Sequence, residues 1–224
     1  MARAALLLLG DGRFPAGSHA HSGGVEEAVA DGRVQDLVTL ERFLVGRLWT
    51  VGRTDAGIAA AAWAEAGAAA PRWPVLDAEA AARSASAQVR RASRSLGRAM
   101  LRAAEASWPG TWVGALRGAV PDGPLLAVAI GAAARAAGGT EEEAALLAAH
   151  GSVTGPATAA VRLLGLDPLA VSAVLARLAA DVDAIAASSA GAGRDWSALP
   201  AGSAPLIDVG AERHAAREVR LFAS

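Results

Sequence analysis

The stretch Asp36-Leu37-Val38-Thr39-Leu40-Glu41-Arg42-Phe43-Leu44-Val45-Gly46-Arg47-Leu48 decides the fold class. Leu37, Leu40, Leu44 and Leu48 recur at three- and four-residue steps, which puts them on one face of a helix with Glu41 and Arg42 between them. Asp36 stands just before the first apolar residue, where a short acidic side chain accepts from the free N–H groups of the first turn. The pattern predicts an amphipathic helix ending near Gly52. A second follows from about Thr54 to Ala66, stopped by Gly67 and by Pro71 and Pro74.

Outward from this stretch the same period persists. Asp77 is placed to cap the next helix, and Asp77 to about Ser107 carries no Gly or Pro except Gly97, so it predicts one long helix or two nearly continuous ones. Arg90, Arg94, Arg98 and Arg102 fall on one face of it, with Val89, Leu96, Met100 and Ala103 on the buried side. Trp108 to Pro124, with four Gly and three Pro, has the composition of a loop. Further helices are expected at about Leu125 to Ala137, Thr140 to His150 and Ala157 to Leu164. Pro168 then opens a last clear stripe of Val171, Val174, Leu178, Val182 and Ile185. After Ser188 the chain turns polar and Gly/Pro-rich, with a short helix around Ala211 to Arg217. The expectation is an all-α, single-domain multi-helix bundle over residues 1–224, with an N-terminal segment and loop at 1–24. Its loops are Gly/Pro-rich and its C-terminal tail region, 189–224, is loosely held.

Composition agrees and removes several chemistries. Ala accounts for 61 of 224 residues and Val plus Ile for only 22, which favours helices over strands. The chain has 21 Arg and no Lys, so a P-loop lysine and a Schiff-base nucleophile are excluded. With no Cys there is no thiolate nucleophile, disulfide or Cys-ligated metal centre, which suits a reducing cytoplasm. A net charge of −1 and 4% aromatic residues argue against nucleic-acid binding. The apolar run Ala4 to Leu9 is far short of the ~20 residues that span a bilayer, so no membrane association or export is expected.

No HExxH, GxSxG, GxGxxG or calcium-loop pattern occurs. His19 and His21 form an H-x-H pair in a Gly/Pro-flanked loop, which places two imidazoles on a metal if further ligands converge; loop histidines satisfied by hydrogen bonds are the plainer reading. His150 and His214 take that plainer reading. The arginine face is suited to carboxylate or phosphate partners, or is simply solvated. Glu26 and Glu27 diverge by about 100° on a helix and do not share a catalytic site; first-turn structural carboxylates fit better.

The segment Phe14-Pro15-Ala16-Gly17-Ser18-His19-Ala20-His21-Ser22-Gly23-Gly24-Val25-Glu26 resembles the N-terminal signature of the urease accessory protein UreF family, approximately L-P-x-G-x-F-x-Y-S-Q-G-L-E. Pro15, Gly17, Ser22, Gly24 and Glu26 stand in register. Ala92 to Arg98, the Leu125 to Gly131 segment and the ending Arg220-Leu221-Phe222-Ala223-Ser224 are also similar to the family, so the resemblance spans nearly the whole chain. The chain departs from the pattern at His19 and His21, where the family has an aromatic pair, at Gly23 in place of Gln, at Ala223 in place of Arg, and at Leu166 and Asp167 after the late Leu-Gly step. The loop histidines resemble an actinobacterial branch.

The resemblance implies a non-enzymatic scaffold. As a homodimer it would bind a UreD/UreH-type accessory protein and the UreG GTPase and promote nickel insertion into apo-urease. It implies no tightly bound cofactor: nickel is handled by the complex and GTP by the partner GTPase, in keeping with a chain that has no Lys. Partner contacts are then expected at Pro15, Gly17, Ser22, Gly24, Glu26, Arg94, Arg98, Arg220, Leu221 and Phe222, with the tail ordering on the UreD/UreH-type protein. Arg94 or Arg98 is a candidate finger toward the GTPase. The alternative is a chaperone that itself carries nickel through His19 and His21.

Overall fold

In the computed structural model, which describes residues 3–191 and 195–222, every regular element is helical. In chain order these are α1 (Arg3–Gly10), α2 (Val25–Ala30), α3 (Leu37–Arg47), α4 (Arg53–Glu65), α5 (Trp73–Ala82) and α6 (Ala87–Ser107). There follow α7 (Thr111–Ala119), α8 (Leu126–Ala136), α9 (Glu141–Leu164), α10 (Pro168–Ser189) and α11 (Pro205–Ala215). Asp36 caps α3 as expected, accepting from the Thr39 N–H at 2.8 Å while the Thr39 hydroxyl accepts from the Asp36 N–H. Leu40, Leu44 and Leu48 are fully buried. The chain does not break at Gly52: Leu48–Gly52 is one wide π-helical turn joining α3 directly to α4.

α4 is the centre of the bundle. Residues 56 to 62 are buried, and they are nearly all Ala, so α8, α9 and α10 pack closely around the helix. α8 comes closest, at Gly131, where a Cβ would overlap the Ala59 carbonyl and sit 2.6 Å from the Ala62 methyl. α4 divides two apolar clusters. Ile58, Ala61 and Ala62 face one that includes Trp73, Leu101, Leu116 and Val128; Ala56 and Ala60 face another that includes Val153, Leu178 and Ile185. The predicted stripe on α10 is buried throughout.

Four sequence expectations need correction. Asp77 is not a cap. It lies inside α5, where it is 5% exposed, pairs with Arg94 at 2.8 Å and accepts from the Leu125 N–H at 2.8 Å; Ser86 caps the following helix. The Gly/Pro-rich stretch 108–124 contains α7, because Val113 and Leu116 sit one turn apart and are fully buried, while Gly118 faces open space and Gly114 meets only the end of the Glu105 side chain. α9 runs unbroken through Gly151, Gly155 and Pro156. Proline leaves the carbonyl four residues back without its helical donor, and here the Arg47 Nε donates to that Ser152 carbonyl at 2.8 Å. Finally, the short helix expected around Ala211 to Arg217 begins earlier, at Pro205, and the segment from Pro205 to Phe222 is bonded by side chains to α2 and to the start of α6. Ala223 and Ser224 lie outside the described residues.

Candidate functional site

The signature loop is built to receive the C-terminal segment. Phe14 is 4% exposed and its ring centroid lies 6.0 Å from that of Trp108, which anchors the loop to the bundle. Pro15 is exposed, Gly17 takes a left-handed turn and Ser22 is fully buried with its carbonyl accepting from the Val25 N–H. Gly24, at φ 90°, opens α2; a Cβ there would be strained and would lie 3.2 Å from Ile207 of α11. The turn thus lets α11 lie close against the start of α2.

Glu26 and Glu27, diverging on α2, hold two different parts of that segment. The Glu26 carboxylate accepts from the backbone N–H of Leu221 at 2.7 Å and of Phe222 at 3.2 Å, and lies 2.8 Å from the Nε2 of buried His214. Glu27, 2% exposed, accepts from Arg217 through Nε at 2.6 Å and Nη2 at 3.1 Å, with Arg213 also near. Phe222 is 6% exposed, with the Arg162 guanidinium 4.9 Å from its ring centroid. Around this latch the apolar side chains of Leu206, Val209, Val219 and Leu221 are more than half exposed, at 65%, 55%, 83% and 68%, and Arg220 is exposed beside them.

The other predicted residues divide. Arg94 is 27% exposed and committed inward, to Asp77 and to the Gly123 carbonyl. Arg98 is exposed and donates to the Asp122 carbonyl at 2.6 Å. Arg90 binds the carbonyls of Ser84 and Ala85, so the arginine face is largely used in fixing loops. His19 and His21 line a cavity with His150; burial and then the neighbouring His19 push the His21 imidazole down. Among the described residues no group of three His, Cys, Asp or Glu side chains converges as a metal site would require.

Sequence reasoning missed Glu27, Arg217 and His214 as members of the latch. Their partners lie 188 or more residues apart in the chain, and no local pattern connects them. It also missed Arg47 and Asp55, whose side chains line two open cavities of about 500 and 180 Å³. Burial pushes the Asp55 carboxyl up to about 6 despite the attraction of Arg47.

An all-helical bundle whose signature residues hold its own C-terminal segment, with apolar side chains exposed along it, belongs to the class of interaction proteins. Comparison with known proteins identifies the family. The UreF family profile matches residues 34–179. The urease accessory protein UreF of Mycolicibacterium vanbaalenii is 45% identical over 99% of this chain and 98% of its own length. That of Mycobacterium sp. (strain JLS) is 44% identical over 98% and 97%, and that of Mycobacterium tuberculosis H37Rv is 39% identical over 99% and 98%. The chain belongs to the UreF family of urease accessory proteins, and its part in urease maturation is an accessory one and not that of an enzyme. No helix among the described residues is long and apolar enough to cross a membrane.

Proposed function

We propose that this chain is the cytoplasmic scaffold of urease maturation, binding a UreD/UreH-type accessory protein and the UreG GTPase and promoting nickel insertion into apo-urease. The observation that carries the reading is the exposure of four apolar side chains, Leu206, Val209, Val219 and Leu221, on a segment bonded to Glu26 and Glu27 of α2 and, through Asp208 and Glu212, to the start of α6. The apolar face of this segment suits the UreD/UreH-type partner. Arg98 and Arg220, the exposed members of the predicted set, are assigned to partner contacts, whereas Arg94 supports the fold beneath them. Gly24 and Glu26 shape and hold the tail's seat, and Pro15, Gly17 and Ser22 set the loop that leads into it. Nickel belongs to the complex and GTP to the partner GTPase.

The homodimer is assigned to the outer face of α3 and α10. Val38, Val45 and Trp49 recur at seven- and four-residue steps and are 58%, 37% and 44% exposed, with exposed Arg42 on the same helix and exposed Asp183 on α10. A two-fold axis sets each Arg42 toward the partner's acidic α10 face. Reconstitution tests the whole reading. Apo-urease, the UreD-type protein, UreG, nickel, bicarbonate and GTP are combined with and without this chain. The scaffold role requires activation that depends on the chain and falls sharply with Leu221→Asp; equal activation without the chain refutes it.

A further inference from the structure

Arg47 ends α3 at the point where the π-helical turn carries the chain into α4, and it lines both cavities. Its Nε is used on the Ser152 carbonyl, which leaves the two Nη groups of the fork. Among the described residues no carboxylate lies within 4.0 Å of it, and burial pushes the guanidinium down from its ordinary range. Charges inside proteins are ordinarily matched by a close counter-charge. The acid whose field reaches Arg47 is Asp55, two turns further on, yet it forms no direct pair.

We propose that the Nη pair of Arg47 binds a small planar oxyanion of the carboxylate type, of the size of formate, acetate or bicarbonate, in the cavity bounded by α3, α4, α8 and α9. The guanidinium fork matches a planar anion through two parallel N–H donors. A Cβ on Gly23 would lie 2.8 Å from Pro156 and 3.4 Å from Arg47 Nη2. Gly23 therefore brings its backbone, without a side chain, up against Pro156 and beside Nη2 on the cavity wall. Leu96, Leu126 and Ala127 form apolar walls on the same cavity, so the fork of Arg47 is the polar anchor that a ligand finds there. Asp55 lines the same cavity. Its protonated form donates to the anion and its ionised form repels it, so a dianion such as sulfate is disfavoured with a single guanidinium to offset it.

The test uses the full chain with ¹³C-formate and ¹³C-bicarbonate as probes, followed by NMR line broadening and by calorimetry. Sulfate and chloride serve as competitors, and circular dichroism checks that each variant is folded. The expected result is one saturable site per chain at which formate and bicarbonate displace each other, while sulfate at equal concentration does not. Arg47→Lys, which keeps the charge and loses the fork, weakens binding at least tenfold. Asp55→Asn tightens it several-fold. Opposite signs in the two variants would not arise from a merely structural pair. Absence of saturable binding, or an affinity unchanged in folded Arg47→Lys, overturns the proposal. If Arg47→Lys does not fold, Asp55→Asn decides: tighter binding supports the site, and unchanged or weaker binding overturns it.

Discussion

Replacing Glu26 by Ala tests the latch directly. Its carboxylate, 11% exposed, accepts from two tail N–H groups and faces the Nε2 of a His214 that is 3% exposed. Hydrogen bonds to a charged acceptor contribute roughly 1.5–3 kcal/mol each, but the Leu221 N–H is exposed and exchanges its bond for water, so its loss costs less. The Phe222 N–H and the His214 ring are more enclosed and carry most of the effect. A total of about 3 kcal/mol follows, which is roughly a hundredfold change in the opening equilibrium of the tail. Hydrogen exchange read residue by residue is the assay. In Glu26→Ala, the amides of Leu221 and Phe222 exchange about a hundredfold faster, while those of buried α4 and α9 change only as far as global stability does. Glu26→Gln, which keeps one acceptor, lies between. Unchanged protection at Leu221 and Phe222 in Glu26→Ala would refute the assignment of Glu26 as the latch.

Three further perturbations separate structural from surface roles. Arg94→Ala leaves Asp77 buried and unpaired and destabilises the chain by roughly 3 kcal/mol, whereas Arg98→Ala barely moves the melting temperature; equal effects would show that Arg94 is not a support. Gly131→Ala forces α8 away from α4 and costs on the order of 2–3 kcal/mol in urea unfolding, and a neutral result would contradict the close approach. Because the folded pKa of Asp55 is raised from 3.8 to about 6, the native state holds the extra proton, so this group makes stability fall as pH rises from about 4 to 6. The contribution is about 3 kcal/mol, and Asp55→Asn should remove that slope and raise stability at pH 7.

Local period and capping were legible wherever a helix has one apolar side, as in α3 with its Asp36 cap and in α10 with its five-residue stripe. Glycine and proline misled where tertiary contacts override them. Pro156 is tolerated in α9 because an arginine more than a hundred residues earlier supplies the missing donor, and α7 persists because Val113 and Leu116 are buried one turn apart. The signature loop was legible as a family mark, and its receiving role was not, since Glu26 meets residues 188 to 196 positions away. Asp77 looked like a cap because it follows two prolines, but Pro74 sits in the first turn of a helix that begins at Trp73, and Asp77 is spent inside that helix on Arg94. Arg47 and Asp55 flank the turn at Gly52, where the sequence reading placed a break between two helices, and side-chain charge in a cavity leaves no mark on periodicity.

Light scattering coupled to size exclusion, on the chain alone and mixed with its cognate UreD-type protein and UreG, tests the scaffold account most directly. The account predicts a homodimer that Trp49→Glu converts to a monomer, and a shift of the dimer to a larger complex containing both partners. Leu221→Asp should abolish capture of the UreD-type protein while leaving the dimer intact. A chain that elutes unchanged in the presence of both partners would contradict the central claim.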